Sequence, residues 1–124
     1  MAKAILTLDE INLLRHSEEP KNTHLYGNLY EILEKLESSK AVTMGMMPDL
    51  DEAGVAALTY NKKSLIETVI KEWYAERIIE EDLDKKVRCG LCNTPNKYLY
   101  FIRNRLNGET LNVGSSCITK FPGM

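Results

Sequence analysis

The residues best able to do chemistry sit in the last third of the chain: Cys89-Gly90-Leu91-Cys92, and then Val113-Gly114-Ser115-Ser116-Cys117. A Cys-x-x-Cys pair on a tight turn can present two thiolates to one tetrahedral ion, and a third returns from beyond an intervening hairpin. A borderline-soft ion such as Zn²⁺ favours these sulfur ligands and can hold a small fold together without redox chemistry. An odd count of three cysteines suits a metal in a reducing compartment better than a secreted disulfide framework. The spacing therefore predicts a zinc site on Cys89, Cys92 and Cys117, with reduced buried thiols as the plainer reading.

The elements that must position these cysteines are also legible. Tyr98-Leu99-Tyr100-Phe101-Ile102 is rich in strand formers, and Asn107-Gly108 is a hairpin turn signal that returns the chain through Glu109–Val113. Antiparallel pairing carries Cys117 back to the Cys89/Cys92 turn. Gly114 permits a sharp bend, and Ser115 or Ser116 can cap a helical turn whose N-terminus would favour a Cys117 thiolate. Knuckle, hairpin and helix-borne ligand are the parts of a treble-clef finger. A fourth cysteine three residues after Cys117 would complete such a site, but Lys120 stands there. Since structural zinc is nearly always four-coordinate, the fourth ligand must be His24, His16, a carboxylate such as Asp84, water, or a group from another molecule.

Cys89-Gly90-Leu91-Cys92, Phe101-Ile102-Arg103-Asn104, Gly108 and Leu111-Asn112-Val113-Gly114-Ser115-Ser116-Cys117 together resemble a small zinc-knuckle module of uncharacterised bacterial and phage proteins. The likeness covers about residues 86–121, and residues 1–84 resemble no family. It implies a treble-clef-like or zinc-ribbon-like site, and a phage or mobile-element setting, without naming an activity.

At 124 residues the chain has room for one domain, or a small domain with a metal-stapled appendage. No run of about 18 apolar residues marks a membrane span, and the N-terminus lacks a signal-peptide pattern, so a cytoplasmic location is expected. Charge divides the chain. Residues 1–84 carry nine Lys and Arg against seventeen Asp and Glu, a net −8, whereas residues 85–124 carry seven against one, a net +6. The expectation is an α+β protein with an acidic helical domain at 1–84 and a basic zinc-stapled β-hairpin finger at 85–124.

In the first segment Thr7-Leu8-Asp9-Glu10 reads as a capping box opening a helix with Leu8, Ile11 and Leu14 on one face, closed before Pro20. A second helix is expected from near Thr23, striped by Leu25, Leu29, Ile32, Leu33 and Leu36. Ala41–Met47 is a short apolar run, strand or connector. A third helix should cover Leu50–Leu58, weakened by Gly54. Ser64-Leu65-Ile66-Glu67 is a second capping box for a longer helix carrying Val69, Ile70, Trp73 and Ile78, fraying at Glu80–Asp84. These stripes are read as core faces, with Trp73 as a core anchor.

Two binding functions compete. In the first, the basic finger holds nucleic acid: Lys85, Lys86, Arg88, Lys97, Arg103, Arg105 and Lys120 contact phosphates while Tyr98, Tyr100 or Phe101 offer base-stacking surfaces. In the second, the protein docks on a larger host enzyme or defence complex and inhibits it, its acidic helices engaging a basic surface that otherwise holds nucleic acid. Catalysis is not expected: the His-x-Glu signature of zinc deaminases is missing, as are Walker, Ser-His-Asp and His-Glu-x-x-His patterns. No small-molecule substrate and no membrane is implied.

Overall fold

The computed structural model describes residues 4–22, 25–36, 41–84 and 86–122. The chain opens with β1 (Ala4–Leu6) and α1 (Leu8–Arg15), followed by α2 (Glu19–Asn22) and α3 (Leu29–Lys35). Next come β2 (Val42–Thr43), a 3₁₀ helix over Met44–Asp49, α4 (Glu52–Tyr60) and α5 (Lys62–Ile70). The last part holds β3 (Trp73–Glu81), β4 (Tyr98–Asn104), β5 (Thr110–Val113) and α6 (Ser115–Ile118). β1 and β2 form a small antiparallel pair, and β3-β4-β5 form an antiparallel sheet in that order. The architecture is α+β, as the sequence implies.

The first capping box forms as expected, with the Thr7 N–H donating to Glu10 Oε1 at 2.9 Å. Ile11, Leu13 and Leu14 of α1 are buried. The second helix is shorter than the apolar stripe suggests. It begins at Leu29 because Gly27 adopts φ +57, a left-handed turn that ends helical propagation from upstream, and Leu25 is exposed. A Cβ on Gly27 would also collide with the Asp51 carboxylate, which caps α4 by accepting from the Gly54 N–H at 2.8 Å.

The largest departure concerns residues 64–81. Only the first part is helical, beginning at Lys62 with Asn61 rather than Ser64 at the cap, and the chain turns at Lys71–Glu72 into β3. Trp73, Tyr74, Ile78 and Ile79 are aromatic or β-branched, and a partner strand outweighs their helical spacing: Trp73 pairs with Asn104, Tyr74 with Arg103 and Ala75 with Ile102. A register shift between Ala75 and Ile79 precedes the second half, where Ile79 faces Tyr100 and Glu81 faces Tyr98. Thus a strand from the acidic segment forms one edge of the finger's sheet.

One apolar cluster joins both segments. Leu6, Ile11, Leu14, Leu33, Leu65 and Trp73 belong to it, as do Leu91, Ile102, Val113, Cys117 and Phe121. Trp73 is the expected anchor: it is fully buried, and its indole N–H donates to Ser17 Oγ at 2.8 Å. Beside it, buried Glu72 accepts from the Glu18 and Glu19 N–H groups at 2.7 and 2.9 Å and from Asn104 Nδ2 at 3.0 Å. A single carboxylate thereby ties the start of α2 to the end of β4. No helix of the described residues is long and apolar enough to cross a membrane.

Candidate metal centre

The knuckle is built by backbone hydrogen bonds around a tight turn. The Cys89 N–H donates to the Thr94 carbonyl at 2.9 Å, and the Asn93 N–H returns to the Cys89 carbonyl at 3.0 Å. Asn93 holds φ 61, a left-handed conformation that asparagine tolerates better than most residues. The Leu91 N–H lies 3.4 Å from Cys89 Sγ. Two further bonds seat the turn against the sheet: Gly90 N–H to the Asn112 carbonyl at 2.7 Å, and Asn112 Nδ2 to the Arg88 carbonyl at 2.6 Å. A third fixes it to the helical layer, with buried Asn12 of α1 donating Nδ2 to the Leu91 carbonyl at 2.6 Å.

Cys117 comes from the opposite side. The hairpin of β4 and β5 forms as expected, with Phe101 facing Asn112 and Arg103 facing Thr110. Its turn is wider than a two-residue loop: Asn104 Oδ1 accepts from the Leu106 and Asn107 N–H groups, and Gly108 takes φ +76. Gly114 then caps α6, and a Cβ there would lie 2.6 Å from Asn96 Oδ1, so any larger residue must displace the Asn96 side chain.

These elements bring Cys89, Cys92 and Cys117 together, their sulfur atoms within 4.8 Å of one another. Cys92 and Cys117 Sγ are 3.6 Å apart, and Cys92 Sγ is 3.3 Å from Thr94 Oγ1. Cys89 and Cys117 are buried, whereas Cys92 is partly open to solvent. The Cys89 thiol is pushed down to about 5 by a hydrogen bond from Cys117, supported against burial by backbone N–H groups of Cys92, Leu91 and Gly114. Cys117 is pushed up in return, by the same bond and then by burial. A thiolate at Cys89 with two sulfurs beside it is a donor set that could bind a metal ion.

The fourth position stays outside the cysteine set. Among the described residues no His, Asp or Glu joins the three sulfurs. His16 lies against the far turn, with Nδ1 3.6 Å from Glu109 Oε1, and Asp84 pairs with Lys86 at 3.8 Å. Neither is a ligand here. His24, the other candidate, lies outside the described residues. Lys120, in the place of a fourth cysteine, instead pairs with Asp9 of α1. Burial opposes both charges, yet the pair prevails, holding the Asp9 carboxyl below its ordinary range and the Lys120 ammonium above.

The residues expected to meet nucleic acid are distributed unevenly. On β4 alternate side chains face opposite ways. Tyr100, opposite Ile79 and Val113, is half-buried and packs on the core, so it shares no face with Arg103. Arg103 is exposed on the outward side, between Tyr74 and Thr110, and has no carboxylate partner among the described residues. The Arg105 guanidinium sits 5.5 Å from the Tyr74 ring centre, and Lys97 sits 5.4 Å from that of Tyr98. Arg88 is exposed beside the knuckle, with Nη1 donating to the Asn93 carbonyl at 3.0 Å. Lys85 lies outside the described residues. Tyr74 is the feature that sequence reasoning misses, because the helical spacing of Val69, Ile70, Trp73 and Ile78 puts it on a helix; the aromatic pair Trp73-Tyr74 and the β-branched pair Ile78-Ile79 are the available signal.

Fold and site thus define an α+β protein with a three-cysteine candidate metal centre. No family model matches the chain, and neither a curated protein nor a solved structure matches it.

Proposed function

We propose that this protein is a non-catalytic nucleic-acid-binding module whose finger is stapled by zinc on Cys89, Cys92 and Cys117. The zinc reading is supported by donor chemistry and spacing. Thiolates about 2.3 Å from a tetrahedral ion lie about 3.8 Å from one another, close to the 3.6 Å between Cys92 and Cys117. Zinc would cross-link the knuckle to α6 and supply folding free energy to a segment with few apolar residues of its own. The fourth ligand is His24, water or a group from a partner.

The observation that carries the nucleic-acid reading is the outward face of the sheet. Arg103 and Arg105 have no carboxylate partners among the described residues, and they interleave with Tyr74 and Phe101. Cations left unpaired beside aromatic rings match the phosphate and base chemistry of a nucleic acid. Lys97 and Arg88 extend the positive surface towards the knuckle. Anisotropy titrations of labelled oligonucleotides over a salt series test this. Replacing Arg103 and Arg105 with alanine should weaken binding and reduce the slope of log affinity against log salt by about 2. Salt-independent binding, or none at low salt, contradicts the reading.

A second reading, docking on a larger host protein, is favoured by a different region. Ile78, Ile79 and Leu83 are 54%, 52% and 71% exposed, and Tyr98 is 46% exposed. Such apolar residues at the end of a hairpin suit a protein partner.

A further inference from the structure

We infer that the outward sheet face takes single-stranded rather than duplex nucleic acid, with unstacked bases resting on Tyr74 and Phe101; this rests on the nucleic-acid reading above. A continuous path runs across that face. Arg105 stacks against Tyr74, Tyr74 is the cross-strand neighbour of Arg103, and Phe101 follows two residues along β4. Phe101 is opposite Asn112, whose amide holds the Arg88 carbonyl. Cation and ring therefore alternate from the hairpin turn to the knuckle. Same-face neighbours on a strand are about 6.6 Å apart, and both rings are partly exposed.

Rings lying on a sheet surface can be reached only by a base that has left its stack. Reading a duplex by its base edges would put an α-helix or a two-stranded ribbon into the major groove, and phosphate contacts alone would leave both rings unused. α6 is 4 residues long, with Cys117 and Ile118 buried, so it cannot serve as a recognition helix. The three-stranded part of the sheet is too broad, and its β5 edge is already bonded to the knuckle through Gly90 and Asn112. Only the far end, Glu80 and Glu81 against Leu99 and Tyr98, narrows to two strands. There Glu80 and Glu81 are exposed and would meet phosphates with like charge.

The test uses the whole protein as purified, with labelled 12-nucleotide single-stranded DNA and RNA and a 12-base-pair DNA duplex, followed by anisotropy. At least one single strand should bind ten or more times tighter than the duplex. Tyr74→Leu and Phe101→Leu, which keep apolar volume but remove the ring, should each weaken single-strand binding by about 5- to 150-fold while leaving the melting temperature nearly unchanged. Phe101→Tyr should retain binding. Duplex binding as tight as single-strand binding, or binding indifferent to both leucine variants, overturns this inference and leaves the broader reading standing. Failure of all three probes at low salt overturns both.

Discussion

Neighbouring residues on β4 live in different surroundings. Ile102 and Asn104 point inward and are buried, the first among apolar side chains and the second bonded to Glu72. Phe101 and Arg103 point outward, and the exposed arginine has no carboxylate partner among the described residues. Every inward polar group is satisfied, and no buried side-chain nitrogen or oxygen of the described residues lacks a partner. The outward face keeps its hydrogen-bonding and charge capacity for something else. Because side chains alternate on a strand, inward and outward positions interleave over Phe101–Asn104, and substitutions one residue apart there should have separable effects.

The largest effect should come from the proposed metal staple at the three cysteines. Cys117→Ser, or chelation of the metal, should lower the melting temperature by about 10 °C or more in a thermal dichroism scan. Cys89, Cys117 and Leu91 share the core cluster with the α1 and α5 residues, so the helical signal should weaken too. An unchanged melt would separate the finger from the metal. Next, Ile102→Ala should cost about 2–5 kcal/mol in urea denaturation, whereas Arg103→Ala should change stability by less than about 0.5 kcal/mol. Equal losses would erase the distinction between the two faces.

Glu72→Ala sharpens the inward side. It removes the acceptor for two backbone N–H groups and the Asn104 amide, and should cost about 1–3 kcal/mol, with Glu72→Gln milder. The smallest effect concerns the clasp between Asp9 of α1 and Lys120, just after α6. The Asp9 carboxyl is held below its ordinary range in the folded chain. Its contribution is therefore present above the unfolded value, about 3.9, and is lost as pH falls through the folded one. Wild type should exceed Asp9→Asn by less than about 1 kcal/mol at neutral pH, and the gap should close in acid. A gap that widens in acid would contradict the pairing.

How much could be read from the chain follows the range of the interactions. The cysteine site was legible because its parts are local: Cys-x-x-Cys on a turn, strand formers, Asn107-Gly108, and Gly114 before a helical turn. The Thr7 capping box was equally local. The strand at Trp73–Glu81 was not, since Val69, Ile70, Trp73 and Ile78 fit a helical face, and only pairing with β4, tens of residues downstream, selects the extended form. That same pairing brings Tyr74 beside Arg103, so the β3 half of the outward face follows only from a long-range contact. The clasp of Asp9 on Lys120 and the bond of Asn12 to Leu91 are also long-range, and no periodicity announces them.

Whether zinc on three cysteines staples the finger can be read from native mass spectrometry of protein purified without added metal. One zinc per chain is expected, lost in Cys89→Ser and Cys117→Ser. A metal-free wild-type chain whose hairpin is nonetheless folded, shown by amide exchange protection across β4 and β5, would contradict it.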